Sequence, residues 1–344
     1  MEGALSAENL AFCELGGVVP NPRLDKVHEG IRLGRERRVD FLPAVGGGSA
    51  IDTAKAVAYG LAEPEHDVWE LFAHTRTARK CLPVGCVLTI AAAGSETSKG
   101  CVITNQRTGE KRAYDDNLAR PGFAVMNPEY TRTLPDYQTE SGCVDIMMHT
   151  MERYFLGTPD CDLTERIAEG LLIAVRDAGR RAIANPDDYE ARATLMWASS
   201  LSHNDLTGCG KPRLFPVHKL EHPVSALHDN ISHGAGLSVL FPAWAQFILS
   251  KNIDVMKFAQ LANRVWGVEM DFDHPERTAA NGIATMKRYF IEIGMPVTMA
   301  QLGLQPEDYD AIINLTTKNG TSPVKSYIPL GNAEILEIYH LAED

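Results

Sequence analysis

Residues 39–62 read VDFLPAVGGGSAIDTAKAVAYGLA. An apolar run, VDFLPAV, ends in three glycines and a serine. AIDTAKAVAYGLA follows, with alanines and aliphatic residues at helical spacing. The pattern predicts a strand, a tight glycine turn and a helix. Glycine lets backbone N–H groups approach a phosphate closely, and a helix N-terminus adds partial positive charge. The motif is not G-x-G-x-x-G, so the dinucleotide fingerprint is not met. Locally the turn reads as a phosphate cradle or as a plain strand–helix connection, and the pattern does not separate them.

Outward from this stretch, CLPVGCVLTI (81–90) and FAVMNP (123–128) predict two more strands, the last closed by Asn127-Pro128. AAAGSET (91–97) is a second small-residue turn after a strand. Strands alternating with helices build βαβ units on a mostly parallel sheet. Beyond about residue 136 the character changes. TERIAEGLLIAVRDAGRRAIANP, YEARATLMWASSLSHNDL, IDVMKFAQLANRVWGV and RTAANGIATMKRYFIEIG are helical patterns, and no strand is evident. The 344 residues suit two domains. The chain therefore reads as an α/β domain over 1–135 and an all-helical domain over 136–344, joined near RTLPDYQTESG. Clefts between domains favour ligands.

Composition narrows the function. A net charge of −12 with no basic block argues against nucleic acid. No run of about eighteen apolar residues exists, which argues against a membrane span. The opening MEGALSAENLAF lacks the basic and apolar regions of a secretory signal. Seven cysteines lie singly, with no CxxC pair, so neither a disulfide framework nor a cysteine zinc site is expected. A reducing cytoplasm is the expected location.

Two stretches carry metal chemistry. In DIMMHTMERYF (145–155), Asp145 and His149 stand four apart on a predicted helix, sharing a face about 5–6 Å apart at Cβ. Such a pair either chelates a divalent ion or forms a hydrogen bond within the helix. HKLEHPVSALHDNISHG (218–234) holds His218, His222, His228 and His233, four of the chain's eleven histidines. One carboxylate and several imidazoles suit Fe(II), Zn(II), Mn(II) or Co(II), and spacing leaves the choice open. Glu152 reads equally as a partner of the metal ligands or as a solvated helix face. His203 reads as structural. His28, His66, His74, His274 and His340 read as surface residues, and Trp197 and Trp244 as core.

Together these motifs resemble the iron-containing (group III) alcohol dehydrogenases, nearest the butanol dehydrogenase branch. AVGGGSAIDTAKA, DIMMHTMERYF and HKLEHPVSALHDNISHGAGLSVLFPAW carry the resemblance. VVPNPRLDKVHEGI, RPGFAVMNPEYTRTLP, WASSLSHNDLTGCG and EILEIYHLA extend it from about residue 15 to the C-terminus. The resemblance implies NAD(P)H and a divalent metal, Fe2+ or in its place Zn2+ or another ion, meeting between the two domains. It implies Asp145, His149, His218 and His233 as metal ligands and His222 as a proton relay near the metal. Gly46, Gly47, Gly48, Ser49 and Asp52 would cradle the pyrophosphate, with Thr89, Ser95 and Lys111 at further cofactor-side positions. The implied substrate is a small primary alcohol or aldehyde, and a homo-oligomer is compatible with the pattern.

Three departures qualify the resemblance. Family members carry a further N-terminal portion: an opening hairpin, a first strand and a glycine-rich turn. The position that helps choose NAD or NADP is then expected to lie outside this chain, and an incomplete sheet would expose an unpaired edge. The expected alternative is a shortened, weakly active or non-catalytic member that keeps the metal site. The spacing from His218 to His233 is one residue longer than the commonest, which makes His228 a rival ligand. His233 is preferred because glycine follows it and an apolar helix starts there. Ala93 stands where the family commonly has threonine, so one cofactor hydroxyl contact is expected to be absent. A metal-dependent synthase on a related fold, such as the dehydroquinate synthases, fits the histidine signature and the ending less well.

Overall fold

The computed structural model describes residues 1–156 and 161–343. A short α1 (Glu2–Ala7) and an extended segment lead to α2 (Leu24–Arg37). β1 (Leu42–Gly46) runs into α3 (Gly48–Ala62), and α4 (Trp69–Phe72) follows. β2 (Val84–Leu88), a hairpin of β3 (Gly100–Asn105) and β4 (Glu110–Asp115), and β5 (Ala124–Val125) complete the α/β part. The three strands expected from the sequence form one parallel sheet in the order β1-β2-β5, with Leu42 opposite Val84 and Gly46 opposite Leu88. Leu24, Val27 and Ile31, at helical spacing on α2, pack with Ala56, Val57 and Tyr59 of α3 in one buried cluster.

The β3–β4 hairpin was not expected. It is antiparallel and stands apart from the parallel sheet. Its second strand, EKRAYD, is too polar to signal burial, because only Tyr114 in it is buried. Its turn is set by Asn105, whose side chain accepts from the Arg107 N–H at 3.0 Å, and by Gly109 at φ +70°. On the far side of β1 no strand pairs among the described residues.

The second part is helical: α5 (Asp136–Tyr154), α6 (Asp162–Ala184), α7 (Tyr189–His203), α8 (Pro216–Leu227), α9 (His233–Ser250), α10 (Val255–Arg264), α11 (Pro275–Glu292), α12 (Pro306–Thr317) and α13 (Asn332–Leu341). α5 is buried on every side from Ser141 to Tyr154, and α9 from Gly234 to Ala245. A helix buried all round is a core helix. Phe155 stacks on Phe258 with ring centroids 4.3 Å apart, and Trp244 closes over both. Burying each phenylalanine contributes roughly 1.5–3 kcal/mol. Trp244 is fully buried as expected, but Trp197 is 59% exposed. Leu195, Ala198 and Ser199 fill the buried face of α7, and Trp197 falls on the opposite side.

Two devices join the parts. Ser199 of α7 accepts the Gly94 N–H and donates to the Ala92 carbonyl, both at 3.2 Å. Ser200 donates to Glu96 at 2.6 Å. α7 thereby grips the small-residue turn after β2. α5 carries Asp145, His149, Glu152 and Arg153 into the interior, where each must find a polar partner.

Candidate functional site

A cleft of about 2090 Å³ opens between the two parts. Gly46, Gly47, Gly48 and Ser49 line one end. Asp145, His149, His218, His222 and His233 line the other.

At the helical end, α5 presents Asp145, α8 presents His218, and α9 presents His233 at its first residue. Ser232 caps α9 by accepting the Ala235 N–H at 3.3 Å, which fixes where His233 begins the helix. Gly234 lets α9 come close to α5, since a Cβ there would stand 2.1 Å from the Ser141 carbonyl oxygen. Asp145 Oδ1 then lies 3.7 Å from His218 Nε2 and 4.0 Å from His233 Nε2. Donor atoms of these three residues fall within 4.8 Å of one another. Asp145 Oδ1 and His218 Nε2 are buried with no hydrogen-bond partner among the described residues. Buried polar atoms are ordinarily partnered. One carboxylate and two imidazoles converging on one gap suit a divalent cation.

His149 stands beside this trio. Its Nδ1 lies 3.0 Å from the Asp145 backbone carbonyl and 3.3 Å from Asp145 Oδ1, and its ring centroid is 4.5 Å from that of His218. With Nδ1 bonded to its own helix, Nε2 is the free nitrogen. His228 belongs to neither donor group and does not line the cleft. His222 falls in a second donor group with Glu221 and His233.

Two buried glutamates hold the imidazoles. The Glu152 carboxylate contacts His218 Nδ1 and also accepts the Val217 N–H at 2.6 Å. The Glu221 carboxylate contacts His233 Nδ1. A carboxylate on the far nitrogen of a histidine fixes its tautomer and orientation. Glu152 is thus a partner residue, and the solvated-face reading fails because it is only 2% exposed. Glu221 escaped the sequence reading, although it lies between His218 and His222. Its signal was a carboxylate one turn after a histidine.

Burial pushes His149 and His222 well below the usual imidazole range, and neighbouring imidazoles, with Arg153 for the first and Lys111 for the second, add to it. Burial also lowers His218, but the Glu152 and Asp145 carboxylates outweigh it and hold this imidazole at about 9. For Glu221 burial raises the carboxyl, and His233 and Lys111 bring it below its ordinary value.

The other end is built from backbone. A Cβ at Gly47 would stand 2.2 Å from Ile90 Cγ2, so only glycine lets the turn lie against the segment after β2. Ala93 faces the same turn near Gly48. Asp52 lines the cleft, but both its oxygens are engaged, one by Ser95 Oγ and one by the Val102 N–H at 2.8 Å. Lys55, fully buried, donates to Ser95 and to the Ser98 and Gly100 carbonyls. Ser95 therefore sits in the bracing beneath the turn. Thr89 is apart from the cleft lining, its N–H bonded to the Gly46 carbonyl at 3.2 Å. Lys111 lines the cleft and donates to Asn21 Oδ1 and Ser225 Oγ, each at 2.9 Å.

Family models match nearly the whole chain: "Iron-containing alcohol dehydrogenase" over residues 1–128 and "Fe-containing alcohol dehydrogenase family, C-terminal" over 139–342. The chain belongs to the iron-containing alcohol dehydrogenase family. It is 38% identical to NADH-dependent butanol dehydrogenase A of Clostridium acetobutylicum, covering 97% of this chain and 85% of that one. It is 35% identical to the NADPH-dependent aldehyde reductase YqhD of Escherichia coli, covering 89% and 79%. The crystal structure of NADH-dependent butanol dehydrogenase A from Thermotoga maritima superposes with a TM-score of 0.93 at 34% identity, covering 100% of this chain and 86% of that one. The family assignment sets the butanol dehydrogenase-like reading of the sequence on firm ground. No helix among the described residues is long and apolar enough to cross a membrane.

Proposed function

We propose that this chain reduces small aldehydes, and oxidises the matching primary alcohols, with NAD(P)H or its oxidised form and a divalent metal, Fe2+ foremost, in the cytoplasm. The observation that carries this reading is the convergence of buried Asp145 and His218 with half-buried His233, whose donor atoms lie within 4.8 Å of one another in a cleft that a glycine turn shares. The butanol dehydrogenases and the aldehyde reductase among its relatives support the substrate class. Residues 1–135 would hold the dinucleotide and 136–344 the metal.

When bound, the metal supplies Lewis acidity toward a carbonyl oxygen and the nicotinamide supplies the hydride. Asp145, His149, His218 and His233 would hold the metal, with Glu152 and Glu221 orienting His218 and His233. Gly46, Gly47, Gly48 and Ser49 would cradle the pyrophosphate through backbone N–H groups. Asp52 and Ser95 keep that turn in place from below. Lys111 adds positive charge on the cofactor side. His222, held neutral by its surroundings, would act as a relay, giving its N–H proton to the substrate oxygen during reduction while its other nitrogen takes up a proton from solvent.

The test is a rate assay. The purified chain is stripped of metal, given Fe(II) without oxygen, and followed by NADH and NADPH oxidation with butanal, against Zn(II) and metal-free controls. Iron-dependent turnover is expected. A chain that binds the cation tightly and turns over neither cofactor overturns the reading. His222→Ala is expected to lower kcat by about 100-fold or more with metal content retained. If that variant loses its metal instead, His222 is a ligand, as its grouping with Glu221 and His233 allows.

A further inference from the structure

Arg153 is a cation buried in the core helix. It is 1% exposed. Its Nη1 donates to the His149 and Ser202 carbonyls, both at 2.8 Å, and its guanidinium stacks 4.6 Å from the centre of the Phe215 ring. Its Nη2 lies 3.2 Å from Nδ1 of His203. An arginine has only donors and is never deprotonated in a protein. His203 Nδ1 must therefore accept, and the ring must carry its proton on Nε2.

His203 ends α7, lines the cleft, and packs edge-on against His149 with centroids 4.2 Å apart. Phe215 forms the wall beside both rings, 6.2 Å from His203. The Nε2 of His203 has no hydrogen-bond partner among the described residues, yet it is not one of the sealed, unpartnered atoms of the interior. It is open to the cleft. The result is a neutral N–H donor, fixed in direction by Arg153, standing one imidazole away from the candidate metal ligands.

We propose that His203 is a specificity-determining residue whose Nε2–H bonds a second oxygen of the substrate, on the carbon next to the reacting carbonyl. The substrate class is then the 2-hydroxy aldehydes and the matching vicinal diols. This rests on the aldehyde reductase reading above. Oxygens on adjacent carbons stand roughly one hydrogen-bond length apart, so one can face the ligand trio while the other meets a donor beside His149. A plain alkyl aldehyde would cover this N–H and leave it unpaired. Sites built to bond a substrate hydroxyl discriminate strongly against analogues that lack it.

The test compares kcat/KM for 2-hydroxypropanal and 2-methylpropanal, which differ by a hydroxyl against a methyl. Wild type, His203→Leu and His203→Gln are assayed as iron-loaded proteins. The ratio favouring the hydroxy aldehyde is expected to fall about ten-fold or more in His203→Leu, and to be largely kept in His203→Gln, which retains a donor. An equal loss on both aldehydes, or an unchanged ratio, overturns the proposal. A second readout needs no turnover: ¹⁵N NMR of histidine-labelled wild type, with His203 assigned by its variant, is expected to show the proton on Nε2. A proton on Nδ1 overturns it. A wild-type chain that turns over neither aldehyde sinks the reductase reading and the substrate class with it, while the tautomer is still decided by the spectrum.

Discussion

The two ends of the cleft are built on opposite principles. The helical end works through side chains: Asp145, His149, His218 and His233, with Glu152 and Glu221 behind two of them. The turn end works through missing side chains: glycines pressed against Ile90 and Ala93. At the helical end, buried charge demands partners, so each group is fixed by another. At the turn end, close packing demands space, so any added atom displaces the backbone. The first end is thus sensitive to chemistry at constant shape, and the second to shape at constant chemistry.

Substitutions can break or sharpen this contrast. The largest effect is expected for Asp145→Asn, which keeps the shape and removes the charge. Metal content should collapse and kcat should fall by at least about 100-fold, beyond what loss of an orienting partner causes. Elemental analysis alongside turnover checks this, and retained metal with retained turnover would put the cation elsewhere. Next is Glu152→Gln, expected to weaken metal affinity by about 10–100-fold in chelator competition, with little change in NADH affinity of the metal-free protein. An equal drop in both affinities would mean that the ends are coupled rather than separate.

Gly47→Ala is the mirror experiment. Its Cβ falls on Ile90, and overpacking of this kind costs about 1–3 kcal/mol. NADH affinity and the thermal midpoint should both drop while metal content holds. Loss of metal in this variant would contradict the division. The smallest effect concerns pH. Burial raises the Glu165 carboxyl, but Lys257 at 2.6 Å and Lys211 at 2.9 Å outweigh it and hold it below the ordinary 4.5. A lowered folded-state value stabilises the fold above the unfolded value and loses that contribution as pH falls through the folded one. Stability should therefore decline on acidification below about 4.5. That slope should flatten in Glu165→Gln, as denaturant midpoints across the range would show.

Legibility followed the range of the interactions. The β1–turn–α3 unit was readable because strand, glycine turn and helix are contiguous and locally patterned. The Asp145–His149 pair was readable from helical spacing. His218 and His233 stood out as a cluster, and the glycine and apolar helix after His233 already favoured it over His228, while the closeness of α9 to α5 is what brings it to Asp145. Glu221 lay in plain view within the histidine stretch, but its role depends on which way α8 turns it. Arg153 and His203 lie fifty residues apart by number, and nothing local joins them. Asp52 follows the glycine turn in sequence and Thr89 precedes the small-residue turn after β2, but the fold puts Thr89 outside the cleft lining and commits the oxygens of Asp52 to bracing. The β3–β4 hairpin was lost because its polar strand carries no burial signal.

By itself the sequence determined the alternation of strand and helix, the change to an all-helical second half, and the residue types able to hold a cation. Those are consequences of local propensity and spacing along one chain. The tertiary structure alone decided which imidazoles face Asp145, which glutamates stand behind them, and that Arg153 sets the proton of His203. Such choices rest on directions of side chains from different helices, and direction is settled only when the buried polar groups are satisfied together.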